Sequence, residues 1–194
     1  MEILKNTYRG TRLASLPSEI PFPSVDVAAV NRLLDLCPVK NTTTLADCPS
    51  LASEVGVASL HAKDERSRMG LGSFKALGAA YVIASLANET GADDMATALA
   101  GRTFITPSAG NHGLSLAAGA RAFGAKAVIY ISQTVPESFA ERLRDKGATV
   151  VREGHDYEAS MVAAMKAKEQ NGWTLVSDTS VSYTHLTLPT ICSV

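Results

Sequence analysis

Apolar and polar positions along the chain fall into two regimes. From about residue 57 onward, short apolar runs alternate with longer stretches of helical period. "VASLHAK" (57–63) reads as a strand, and "DERSRMGLG" (64–72) as a loop. The segment 73–90, "SFKALGAAYVIASLANET", reads as a helix capped by Ser73, with small residues on one face for close packing. "TFITP" (103–107) has the look of a buried strand, and "GNHGLSLAAGARAFG" (110–124) of a helix stopped by Gly124. "AVIYI" (127–131) is a strand. "PESFAERLRDKG" (136–147) is a helix with Pro136 at its start and Gly147 at its end. "ATVVRE" (148–153) is a strand, "DYEASMVAAMKAKEQNG" (156–172) a helix and "WTLVS" (173–177) a strand. Strands alternating with helices of this length predict βαβ units and a parallel sheet.

Both ends break this rhythm. The first fifty residues are irregular and punctuated by prolines at 17, 21, 23, 38 and 49. One helix is predicted there, over 24–36, with Ser24 placed to cap it. After Ser180, "VSYTHLTLPTICSV" (181–194) has no helical period. Its "SYTHLTLPT" resembles a tail met on unrelated chains, and residues 181–194 are expected to be foreign to the fold. The plain alternative is an edge strand, "YTHLTL".

Composition narrows the class. The chain has 194 residues, 46% of them apolar, enough for a sizeable core. A net charge of −1 gives no basic footprint, so nucleic acid is not an expected partner. No apolar run approaches the ~20 residues of a membrane span, and "MEILKNTYRG" lacks a signal-peptide core. Cys37, Cys48 and Cys192 are odd in number and lack CxxC spacing, which suggests reduced thiols and a cytoplasmic setting. His61, His112, His155 and His185 are scattered, and no metal site is expected.

Two stretches carry candidate chemistry. In "RMGLGSFKALGAAY" (68–81), Lys75 stands in a frame of Gly, Ser and Ala. At the first turn of a helix, an ammonium meets the positive end of the dipole. Phe74 beside it adds a desolvation penalty. Both effects favour the neutral amine, the form that condenses with an aldehyde. A solvated lysine near a helix start is the common alternative. The spacing of Gly70, Gly72 and Gly78 fits neither GxGxxG nor a P-loop.

The second stretch is "TPSAGNHG" (106–113), between a strand and a helix. Gly110 allows a tight turn, and the helix start offers free N–H groups to an anion. Ser108 and Asn111 add polar groups. The plain alternative is a βα turn with Asn111 as cap.

Taken together, "SFK" followed some thirty-five residues later by "SAGNHG" resembles the fold-type II pyridoxal-phosphate enzymes. That family includes serine and threonine dehydratases, threonine and cysteine synthases and diaminopropionate ammonia-lyases. "FGAKAVIYISQTVPESFAERLRDKGATVVREG" is similar to its small domain, and "GLGSFKALGA" with "GWTLVSDTS" to the ammonia-lyase branch. The resemblance implies an α/β fold of the tryptophan synthase beta kind. Residues 1–90 would belong to an incomplete large, cofactor-binding domain, and 91–180 to a small domain with an open parallel sheet. It implies Lys75 as the covalent anchor of pyridoxal 5'-phosphate and the base at Cα. Phe74 would lie against the pyridine ring, and Asn111 would bond the phenolic oxygen. Ser108, Gly110, Asn111 and His112 would hold the substrate carboxylate, mostly through N–H groups.

The implied reaction is α,β-elimination from a small L-amino acid, such as 2,3-diaminopropionate, serine or threonine, giving a 2-keto acid and ammonia. A β-replacing synthase and a non-catalytic fragment are the alternatives. A homodimer is implied for the full length. The family's phosphate cup and the residue facing the pyridine nitrogen have no counterpart in this sequence. The position before "GNHG" is acidic in the ammonia-lyase branch and serine in the serine racemases. Here it is Ala109, as in many L-threonine dehydratases, which implies strong L-specificity without racemisation.

Overall fold

The computed structural model describes residues 26–177. The chain order after a short N-terminal lobe is the predicted one. Strands β3 (Thr103–Thr106), β4 (Lys126–Ile131), β5 (Thr149–Arg152) and β6 (Thr174–Leu175) form one sheet, ordered β5-β4-β3-β6 and parallel throughout. Helices α4 (Asn111–Ala122), α5 (Glu137–Asp145) and α6 (Tyr157–Asn171) supply the crossovers. Parallel strands need such crossovers, and these leave both sheet faces covered.

The strand period of two sorts the core. Phe104, Ile129 and Ile131 point to one face, where Leu114, Leu116, Ala140 and Leu143 of α4 and α5 meet them. Ile105, Val128 and Tyr130 point to the other, against Ala164 and Ala167 of α6 and beside Trp173. Helix α3 (Ala79–Glu89) packs on α4. Ala79, Ile83 and Ala87 join the first of these two clusters. The approach is close because Gly119 of α4 faces Ala80; a Cβ there would stand 3.0 Å from the Ala80 Cα. The small residues expected on the helix face therefore serve as predicted. Among the described residues no helix is long and apolar enough to cross a membrane.

Four expectations need correction. The segment before residue 50 holds more than one helix. Strand β1 (Thr44–Asp47) pairs antiparallel with β2 (His61–Asp64), and α2 (Pro49–Val55) lies between them. The strand predicted over 57–63 is thus shorter and lies outside the parallel sheet. Both strands are largely exposed, so neither shows the apolar alternation that betrays a half-buried strand. Helix α1 (Val27–Asp35) exists, but Asp26 caps it, its carboxylate accepting the Ala29 N–H at 3.0 Å. The helix expected over 73–90 is broken. A 3-10 turn (Phe74–Leu77) comes first, Gly78 turns the backbone to φ −96°, ψ −93°, and α3 begins at Ala79. The edge strand or foreign tail expected over 181–194 lies outside the described residues.

Candidate active site

Ser108, Gly110, Asn111 and His112 lie at the C-terminal edge of the parallel sheet, where the chain leaves β3. Open α/β sheets bind ligands at this edge. The loop after β3 runs from Pro107 to Gly110 and enters α4 with Gly110 as the N-cap. Asn111 is therefore the first helical residue and not the cap, and its side chain is exposed. No side chain caps α4. The opening N–H groups of any α-helix have no carbonyl within it.

The glycine that shapes the loop is not the expected one. Gly110 has φ −91°, and a Cβ there would meet open space. Gly113 is the constrained position. A Cβ on it would fall far inside van der Waals contact with the Ser108 carbonyl oxygen, and 3.3 Å from a Leu143 methyl. The loop thus folds back onto the first turn of α4, and only glycine admits that approach. Ser108 and Ala109 are half-buried, and Ala109 packs against the main core.

His112 is buried, at 4% exposure. Its Nε2 donates to the Val176 carbonyl at 2.9 Å, and Val176 N–H donates to Ile105 O at 3.0 Å. The imidazole thus ties the start of α4 to the end of β6. The His112 ring is engaged through Nε2 in the fold, and its backbone N–H stands in the first turn of α4.

Lys75 stands on another element, the 3-10 turn Phe74–Leu77, which packs against α4. Ser73, itself buried, caps the 3-10 turn, its Oγ accepting the Lys75 N–H at 3.2 Å. Lys75 is half-buried, with Nζ 5.7 Å from the Phe74 ring centroid. Phe74 is 48% exposed, so its shielding of the lysine is partial. The dipole expected at Lys75 belongs to a four-residue turn and not to α3, because the α-helix starts only after Gly78. A macrodipole needs aligned peptides, and a four-residue turn supplies few of them.

What joins the two motifs is a residue the sequence reading passed over. The Lys75 turn and α3 both pack on α4. Ser115, fully buried on α4, accepts the Ala80 N–H through its Oγ at 3.1 Å. Gly78 offers α3 no side-chain cap, so a serine on the neighbouring helix does the capping. A hydroxyl in the midst of the apolar run "GLSLAAG" was the available signal.

A primary amine beside an aromatic ring, on a turn packed against the glycine-entered helix α4, fits a cofactor that carries an aldehyde on an aromatic ring. The family model for "Pyridoxal-phosphate dependent enzyme" matches residues 37–190. The diaminopropionate ammonia-lyase of Escherichia coli K12 is 33% identical over 147 residues, 71% of this chain and 37% of that protein. The L-threonine ammonia-lyase of Thermotoga maritima is 32% identical over 127 residues, covering 66% of this chain and 29% of that protein. In structure, the Escherichia coli diaminopropionate ammonia-lyase in complex with D-serine superposes with a TM-score of 0.72 at 31% identity. The match covers 84% of this chain and 44% of that one. The chain thus spans little more than a third of the length of the curated ammonia-lyase it matches.

Proposed function

The chain belongs to the pyridoxal-phosphate-dependent enzymes of fold type II, and we propose that it carries the lysine and carboxylate-binding elements of an amino-acid lyase. The substrate class is a small L-amino acid with a leaving group at Cβ. Similarity to diaminopropionate ammonia-lyase favours 2,3-diaminopropionate within that class, ahead of serine and threonine.

The observation that carries this reading is the joining of the two motifs. The Lys75 turn rests on α4, whose first turn is the "GNHG" loop, and the Ala80–Ser115 hydrogen bond fixes the two together. Lys75 would hold pyridoxal phosphate, with Phe74 against its ring and Asn111 toward its phenolic oxygen. When bound, that cofactor supplies the electron sink for charge developing at Cα. The chain's own residues do the rest. N–H groups at the start of α4 orient the substrate carboxylate. The amine of Lys75 takes the proton from Cα. The Cβ substituent leaves with its bonding electrons. The unsaturated amino acid left behind takes up water, giving a 2-keto acid and ammonia.

The test is reductive trapping. The chain is incubated with pyridoxal phosphate, reduced with borohydride and mapped by peptide mass. The pyridoxyl group is expected on Lys75, and Lys75→Ala removes it. Predominant label on Lys63 or Lys126 overturns the assignment. For the protein carrying the full length of the family fold, keto acid and ammonia are expected in step from L-2,3-diaminopropionate. Lys75→Ala abolishes both.

A further inference from the structure

The loop that delivers Lys75 follows an unfavourable path. Met69 sits at φ +49°, a conformation few side chains adopt, and Gly70 and Gly72 follow at φ +67° and +75°. Within 69–73 the backbone has little regular support; Leu71 N–H reaches back to Arg68 O at 2.9 Å. A chain rich in glycine and held so lightly would sample many shapes.

Arg68 and Glu65 hold it. The Arg68 guanidinium forks onto the Glu65 carboxylate, Nε to Oε2 at 2.6 Å and Nη2 to Oε1 at 2.7 Å. The same Arg68 donates to the Asn41 carbonyl at 2.9 Å and to Thr43 Oγ1 at 2.8 Å. Thr43 Oγ1 donates to Glu65 at 2.7 Å, while Asn41 accepts the Met69 N–H at 2.9 Å and donates to Ser67 O at 3.0 Å. The Arg68 and Glu65 side chains are only 12% and 16% exposed. Hydrogen bonding from Arg68 holds the Glu65 carboxyl below the usual glutamate range despite burial. Next door, the Asp64–Arg66 pair is on the surface, with Arg66 89% exposed.

A buried ion pair contributes little net stability, because desolvation offsets attraction. What this one supplies is geometry. A planar fork fixes direction as well as distance, which a lysine ammonium cannot do. We propose that the Glu65–Arg68 pair, anchored on Asn41 and Thr43, is the positioning device for Lys75. It clamps loop 68–73 so that the amine stands in its reactive place before any ligand arrives. Glu65 and Arg68 touch no reacting atom and act through the loop. The proposal rests on the reading of Lys75 given above.

The experiment compares the unsubstituted chain with Arg68→Lys, Glu65→Gln, the double variant Glu65→Met/Arg68→Met and the control Arg66→Met. The double variant leaves no unpaired buried charge and so keeps the fold within reach. Three readouts are taken: the rate of borohydride-trapped label on Lys75, amide exchange over 69–75, and thermal unfolding followed by Trp173. Trp173 packs beside the far face of the sheet, away from the loop. Misplacement of a reacting group by about 1 Å can cost up to ~100-fold. Labelling of Lys75 is therefore expected to fall at least about tenfold in the three clamp variants, with faster exchange over 69–75. The Trp173 transition of the double variant and the labelling of Arg66→Met stay close to the unsubstituted chain. Unchanged labelling in the clamp variants overturns the proposal, as does a loss matched by collapse of the Trp173 transition in all three. Absence of label on Lys75 in the unsubstituted chain overturns the functional reading instead.

Discussion

At the scale of single residues, two glycines in one motif have opposite standing. Gly113→Ala forces a methyl into the Ser108 carbonyl, so the loop must move. The cost is expected near the upper end of the roughly 1–3 kcal/mol typical of overpacking. Gly110→Ala meets open space at a negative φ and should cost under about 1 kcal/mol. Denaturant unfolding of both variants measures the contrast, and equal losses would refute it. The motif was legible in the sequence, yet its reason was not. A turn glycine and a close-approach glycine look alike until the Ser108 carbonyl is placed. His112 is a second case: the resemblance implied it for the site, while its ring serves the join to Val176. Ala109 gives the second prediction at this scale. On the proposed reading Ala109 would stand on the cofactor face opposite Lys75, where a methyl group cannot exchange a proton, and a positioned base contributes about 10²–10⁴-fold. Matched L- and D-isomers of 2,3-diaminopropionate, assayed with the full-length fold, should differ by at least ~100-fold in favour of L. Ala109→Asp should narrow that gap. It should also lower stability, because Ala109 packs against the apolar core.

At the scale of elements, the parallel sheet was readable because its signals are local and redundant. Apolar strand runs, Gly124 and Gly147 past helix ends, and Pro136 before α5 all agree with the observed order. The β1–β2 ladder was not readable, since a short exposed strand carries no apolar face. The break at Gly78 was hidden for another reason: the stretch keeps helical composition across it, and what allows the break is Ser115 on a distant helix. Ser115→Ala should therefore weaken α3 by roughly 1–2 kcal/mol, as the loss of a cap does. Amide exchange at Ala80 should rise more than at Ile83. The clamp loop adds a pH prediction. The Glu65 carboxyl is depressed in the fold, mainly by the Arg68 hydrogen bond. Its contribution is complete above the unfolded glutamate value of about 4.3 and is lost as pH falls through the lower folded value. Exchange over 69–75, corrected for intrinsic rates, should therefore accelerate below about pH 4. Glu65→Gln should remove that acid step.

At the scale of the whole molecule, the exposed apolar side chains are unevenly placed. Among the described residues most of the large ones lie before the sheet: Val27, Leu36, Val39, Leu45, Leu51, Val55, Val57 and Phe74 are each between 46% and 71% exposed. From β3 onward only Phe139, Tyr157 and Val162 stand out. The sheet region thus covers its own core, while the N-terminal lobe shows surface typical of an interface. This asymmetry matches the coverage of relatives, whose chains run to more than twice the matched length. No pattern within 26–177 could reveal whether anything covers the lobe, because the partner positions of an interface leave no period in one half alone. The consequence is measurable on the chain itself. Exposed β1 and α2 offer an open strand edge beside apolar side chains, a combination that favours self-association. At tens of micromolar the 194-residue chain should self-associate and bind a hydrophobic dye. The triple variant Leu45→Lys/Val55→Lys/Val57→Lys places charge on that lobe without touching the sheet. It should shift the chain toward monomer in analytical ultracentrifugation and lower dye binding, while the Trp173 unfolding transition stays in place. A soluble, monomeric parent chain with low dye binding would show that the lobe needs no cover.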